Sequence, residues 1–162
     1  MAERIDDFRR VLAGATRAIA KDSEAEVIFA SEAGTSGKTA RVASPGPGLE
    51  PSLVAEARGA ADSAALRLRH HDAALHSRLA PLDSEARAVF DALETARFEA
   101  LGSRNWGGVS GNLDRLAEAR VRGDAITRAR TADEVPLATA VGLLARQRLS
   151  GKAPPERANS VL

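Results

Sequence analysis

From Ser52 to Ala80 the chain has no proline and one glycine, Gly59. Ser44-Pro45-Gly46-Pro47-Gly48-Leu49-Glu50-Pro51 brackets the run on one side and Pro81 on the other. A stretch of this length between two breaks reads as helix. At 1.5 Å per residue it would reach ~43 Å, longer than a compact domain needs. Val54, Ala57, Ala61, Ala64, Leu68, His71 and Leu75 alternate three and four apart, with Leu79 close to the same stripe. The seam is mostly alanine, so a neighbouring element can approach closely. Asp83 or Ser84 can cap a second helix running to about Leu101 and stopping at Gly102, with Ala86, Val89, Phe90, Leu93, Ala96, Ala100 and Leu101 as its apolar face. Two helices joined by a short proline turn make an antiparallel αα-hairpin. Arg67, Arg69 and Arg78 on one arm, and Glu85, Asp91, Glu94 and Glu99 on the other, read as solvated outer faces.

Upstream, Ile5, Phe8, Leu12, Ala15 and Ile19 give a helix over Ile5–Ala20. Glu26–Ala30 reads as a strand, Ser31–Lys38 as a loop and Thr39–Val42 as a second strand, together a two-stranded hairpin with a long loop that must pack on a helix. Downstream, Ser103–Gly111 reads as a loop and Asn112–Arg122 as a short helix. Thr131–Glu134 has the capping-box pattern ahead of a helix through Leu137, Ala140, Val141, Leu144, Ala145 and Arg148 that ends at Gly151. The expected fold is therefore mainly α: a helical domain over residues 1–151 with a long antiparallel αα-hairpin and a small two-stranded β-hairpin near the N-terminus. Residues 152–162 read as a polar tail and a point of truncation.

Composition narrows the function. The 162 residues contain no cysteine, which excludes disulfides, thiolate metal sites and a cysteine nucleophile. The N-terminus is charged and lacks the apolar stretch of a secretory signal, and no apolar run approaches the ~18 residues of a membrane span, so a cytoplasmic protein is expected. With 23 basic and 22 acidic residues the net charge is +1, which argues against nucleic-acid or membrane-surface binding.

Gly34-Thr35-Ser36-Gly37-Lys38-Thr39 resembles a phosphate loop in its letters only. Glu32 occupies the position of the first glycine, and Ser-Pro-Gly-Pro-Gly follows where the motif needs a helix, so a hairpin loop is the expectation. Arg69-His70-His71-Asp72 and His76 form the chemically richest cluster. On a continuous helix His71 and His76 would lie about 140° apart and His70 and His76 about 120° apart, so no two histidines share a face. His71 on the seam reads as a buried, hydrogen-bonded histidine, and His70, Asp72 and His76 as interface residues. Trp106, among glycines, reads as a packing anchor or a binding hot spot. No Ser-His-Asp or paired-carboxylate constellation can be assembled. No catalytic, cofactor-binding or metal-binding residue is assigned; the candidate interface is Arg69, His70, Asp72, His76 and Trp106. The alternative is a stand-alone helical interaction or metal-binding module using His70, His71 and His76.

Leu66-Arg67-Leu68-Arg69-His70-His71-Asp72-Ala73-Ala74-Leu75-His76 resembles a signature stretch of the T subunit of aerobic, ATP-dependent cobaltochelatase. The likeness continues through Ala86–Arg97, Glu99-Ala100-Leu101-Gly102, Gly108–Leu113, Pro136-Leu137 and Leu144–Gly151, and includes Phe8-Arg9-Arg10 with Ala18-Ile19-Ala20. The resemblance implies a subunit of the ligase that inserts cobalt(II) into hydrogenobyrinic acid a,c-diamide during aerobic cobalamin synthesis. It implies as partners an AAA+ ATPase subunit and a large corrinoid-binding subunit, with self-association as a further mode. ATP, magnesium and cobalt are implied for the complex, none of them for this chain. Family members continue through an acidic region to a C-terminal von Willebrand A-type domain with an Asp-x-Ser-x-Ser site; these 162 residues hold neither, so the resemblance is to the N-terminal region. Trp106 stands where relatives are expected to carry methionine, so no family role is transferred to it.

Overall fold

The computed structural model describes residues 2–162. Its elements are α1 (Ala2–Ala20), β1 (Glu26–Phe29), β2 (Gly34–Ser36), β3 (Thr39–Val42), α2 (Pro51–His70), α3 (Ala73–Leu79), α4 (Ser84–Ser103), α5 (Gly107–Gly123), α6 (Leu137–Ser150) and α7 (Glu156–Asn159), with 3-10 turns at Ala125–Arg128 and Ala132–Glu134. The fold is mainly α, as expected. The chain divides into two compact units, one comprising the residues up to His70 with Gly108–Leu116, the other His71–Gly107 with Ala117–Leu162.

In the first unit, α1 and α2 pack on the sheet through Leu12, Val27, Ala40, Val42, Ala61 and Ala64, with Phe8 stacked on Phe29 at 6.5 Å. The buried stripe of α1 takes in Thr16 rather than Ala15. The Thr16 hydroxyl donates to the Leu12 carbonyl at 2.9 Å, so no polar group is left unpaired there. Helix α1 closes with Lys21 in the left-handed region (φ 55°) and the Asp22 N–H returning to the Arg17 carbonyl, the bond of a Schellman end.

The expected two-stranded hairpin is replaced by a three-stranded sheet in the order β1-β3-β2. β1 runs parallel to β3, Glu26 opposite Thr39 and Phe29 opposite Val42, while β2 is antiparallel to β3. The reason is local. Gly37 takes φ 54° in a two-residue turn between Ser36 and Thr39, which folds the supposed loop back as a strand and leaves the far edge of β3 for β1. Lys38, the residue a phosphate loop would use, is ion-paired with Asp22 at 3.0 Å and with Glu24. The hairpin-loop reading of that segment is corrected: only Gly37 and Lys38 form a turn, between β2 and β3, and Gly34–Ser36 is a strand.

The helix expected over Ser52–Ala80 is broken. It stops at His70, and α3 starts afresh at Ala73, with Asp72 in an extended conformation (φ −101°, ψ 103°) accepting from the Leu75 N–H at 2.9 Å. Aspartate and histidine are weak helix-interior residues, and aspartate is a strong N-cap, so the His70-His71-Asp72 stretch favours a new start over continuation. The long αα-hairpin is thereby corrected: α2 falls in the first unit, and only the short α3 stands before α4 in the second. α4 begins as expected, with Asp83 accepting from the Ala86 N–H at 2.8 Å. Its buried side is Ala96, Phe98, Glu99 and Ala100, whereas Leu93 is 42% exposed.

α5 starts at Gly107, five residues before the expected Asn112, because burial of Val109 and Leu113 outweighs the helix cost of Gly108 and Gly111. In the first unit Gly59 of α2 lies against the Asn112 carbonyl, and the Asn112 amide donates to the buried Asp62 at 2.7 Å. Burial raises the Asp62 carboxyl above its ordinary range.

In the second unit α4 packs on α6, and a Cβ at Gly142 would stand 3.3 Å from that of Ala92. The Thr131–Glu134 pattern makes a separate 3-10 turn, with Glu134 accepting from the Arg130 N–H at 2.7 Å, rather than the first turn of α6. Gly151 ends α6 at φ 74°. Ala158 of α7 is buried with Val121, Ile126 and Leu143, so residues 152–162 contribute to a core.

Candidate functional site

The break at His71-Asp72 organises the most concentrated set of titratable side chains in the second unit. A residue before the cap, His71 is no longer in phase with α3, so the angular separation that held for a continuous helix does not apply. The His71 and His76 rings lie 4.8 Å apart, tilted by 59°. Both face α4. His71 Nδ1 meets Glu94 Oε1 at 2.7 Å, and His76 Nε2 meets Asp91 Oδ1 at 2.6 Å. Phe90 stacks on His76 with ring centres 4.6 Å apart. Phe90, Glu94 and Arg97 are spaced four and three along α4, and Asp91 stands three before Glu94, so both carboxylates reach the same side of the helix.

Burial and charge set the chemistry. The His71 side chain is only 4% exposed; those of His76 and Glu94 are mostly covered, while Asp91 is open to solvent. Arg97 grips both Glu94 oxygens, Nε to Oε2 at 2.7 Å and Nη2 to Oε1 at 2.8 Å. That bidentate pair, reinforced by His71 against the opposing effect of burial, holds the Glu94 carboxyl at about 2. Because the folded value lies below the ordinary 4.5, the stabilisation is present above pH 4.5 and is lost as the pH falls from there towards 2. The denaturation midpoint is therefore expected to fall over that window. Glu94→Gln should flatten that part of the acid limb, and an unchanged limb in chemical denaturation would contradict the assignment.

The candidate interface residues are divided between the two units, Arg69 and His70 in the first and Asp72, His76 and Trp106 in the second. Arg69 donates from Nη1 to the Ile19 carbonyl at 3.0 Å, tying the end of α2 to the end of α1 in the first unit. His70 closes α2. Asp72 caps α3, His76 joins the cluster, and half-buried Trp106 precedes the first residue of α5. Asp91 is solvated as expected yet meets His76, whereas Glu94 and Glu99, also read as solvated, are mostly covered, Glu99 being 5% exposed and bonded to Arg120 at 2.9 Å. The available signal was an acidic pair three apart on α4, reached by two histidines across a short proline turn. A groove of about 700 Å³ on the same unit has Ala92, Ala96, Gly142 and Leu143 in its lining. Of its polar lining groups, Glu99 and Arg120 pair with each other, and the Thr139 hydroxyl donates to Asp124.

These features define a helical protein with a small mixed sheet and an imidazole–carboxylate cluster between a short helix and a long one. The family model for cobalamin biosynthesis protein CobT matches residues 2–162. The chain belongs to the CobT family, as the sequence resemblance implied, and its role lies in cobalamin biosynthesis, with the cobaltochelatase system. No solved structure matches it. Among the described residues no helix is long and apolar enough to cross a membrane.

Proposed function

We propose that this chain is a non-catalytic scaffold and docking region of the cobaltochelatase complex, in which cobalt(II) is the substrate inserted into hydrogenobyrinic acid a,c-diamide. In this reading ATP and magnesium belong to an AAA+ ATPase subunit and the corrinoid to a large subunit. The chain works in the cytoplasm as a contact between them. The observation that supports the reading is a row of exposed leucines: Leu75 and Leu79 on α3 and Leu82 in the turn after it, the last 99% exposed. Leaving a leucine in water forgoes about 1.5–3 kcal/mol of burial, which a partner surface would recover. His76 on α3 and His71 just ahead of its cap contact Asp91 and Glu94 of α4, so the row is presented on a held element.

The test is size-exclusion chromatography with light scattering on this chain, the AAA+ subunit and ATP. Co-migration is expected, and the double variant Leu79→Asp with Leu82→Asp, folded by circular dichroism, should elute apart. Separate elution of the unsubstituted chain would remove ring docking from this region. These leucines are better probes than Arg69 or Asp72, whose charge reversal would also break local bonds.

A further inference from the structure

From the convergence of two imidazoles and a carboxylate on one point we infer that His71, His76 and Glu94 bind one divalent transition-metal ion of the zinc class. Each offers one ligand atom, and those atoms lie within 4.8 Å of one another. This site stands apart from the docking reading and needs no partner subunit.

The donor set selects the ion. Two imidazole nitrogens and one carboxylate oxygen suit zinc(II) and its first-row neighbours, whereas magnesium and calcium favour oxygen alone. Three protein donors plus a water is a common four-coordinate arrangement for zinc. The surroundings suit it as well. Asp91 holds His76 Nε2, the kind of outer carboxylate contact that orients a ligating ring, and this leaves His76 Nδ1 for the ion. Phe90 covers one face of His76 and limits access of water.

Three adjustments are required, the first being that donor atoms up to 4.8 Å apart must close towards the ~3.3 Å edge of a tetrahedron with ~2.0 Å bonds. His71 Nδ1 and Glu94 Oε1 are 2.7 Å apart, closer than that edge, so they must open by about half an ångström. Arg97 must also yield a Glu94 oxygen. Its side chain is 45% exposed, so its guanidinium has solvent to move into. Arg97 is thus a built-in competitor of the ion. Bound metal would replace a guanidinium contact with a clip joining α3 to α4.

The experiment is calorimetric titration of the chelator-treated full chain with zinc(II) chloride, with cobalt(II) chloride as a spectroscopic probe. The expected result is saturable one-to-one binding, with visible cobalt bands of four-coordinate intensity. His76→Ala and Glu94→Gln should each weaken binding by about tenfold or more. His70→Ala should leave it unchanged, since His70 is not among the converging donors. Arg97→Gln should tighten it, a gain that misfolding cannot imitate and that decides the matter if His76→Ala fails to fold. Absence of saturable binding would overturn the site. So would undiminished binding in folded His76→Ala, an equal loss in His70→Ala, or no tightening in Arg97→Gln.

Discussion

Gly59→Ala destabilises the protein by about 2 kcal/mol or more and lowers Tm by roughly 5 °C or more, although it replaces glycine with the best helix former in the middle of a helix. Propensity alone gives a gain of about 1 kcal/mol. Against it, a Cβ at Gly59 would stand 2.5 Å from the Asn112 carbonyl oxygen and 2.7 Å from Leu116 Cβ. A main-chain oxygen cannot swing aside as a side-chain tip can, so α5 must move from α2, straining the Asp62–Asn112 hydrogen bond. Gly14→Ala on α1 is the control. Nothing lies within 4 Å of its added Cβ, and the same chemical change should raise stability by up to about 1 kcal/mol. Thermal unfolding followed by circular dichroism measures both; equal signs would mean that the approach of α2 and α5 is not as close as described.

Phe98→Ala carries the second large effect, a loss of about 3–5 kcal/mol, against less than about 1 kcal/mol for Leu93→Ala. Phe98 is 3% exposed and Leu93 42%. The apolar face assembled from spacing alone contains Leu93 and omits Phe98, so that face predicts the opposite ranking. Denaturant titration of the two variants separates the alternatives directly.

The contrast between buried Phe98 and exposed Leu93 shows what spacing can and cannot convey. A helical stripe identifies a buried side when one side is buried, as on α1, where Phe8, Leu12 and Ile19 turn inward as expected. α2 is covered continuously from Ala61 to Leu66, including Asp62 and Ser63, so a single seam understates its contacts and passes over Leu66, which is fully buried. The sheet shows the same limit. Gly37 and Lys38 mark a tight turn, but nothing in Gly34-Thr35-Ser36 specifies the edge of β3 on which β1 will pair.

The candidate cluster was half legible. His71 and His76 stand out by residue type, and the placing of His71 as a buried, hydrogen-bonded histidine agrees with its contact to Glu94. Their separation was misjudged because a geometry of 100° per residue was carried through Asp72, where the backbone is extended. Glu94 and Asp91 were indistinguishable from other surface acids, since only an opposing imidazole makes them different.

The sequence by itself determined the family, the mainly helical class, the stops at Pro81 and Gly151, a cap at Asp83 or Ser84 and the absence of any thiol chemistry, whereas α4 runs through the expected stop at Gly102 to Ser103. These follow from local preferences or from motif identity, which need no knowledge of distant neighbours. Only the tertiary structure decided the parallel pairing of β1 with β3, the side of α4 that is buried and the penalty stored at Gly59. It also decided the meeting of His71, His76 and Glu94. Each of these depends on which element lies opposite, and a contact between residues far apart in the chain leaves no periodicity in either of them.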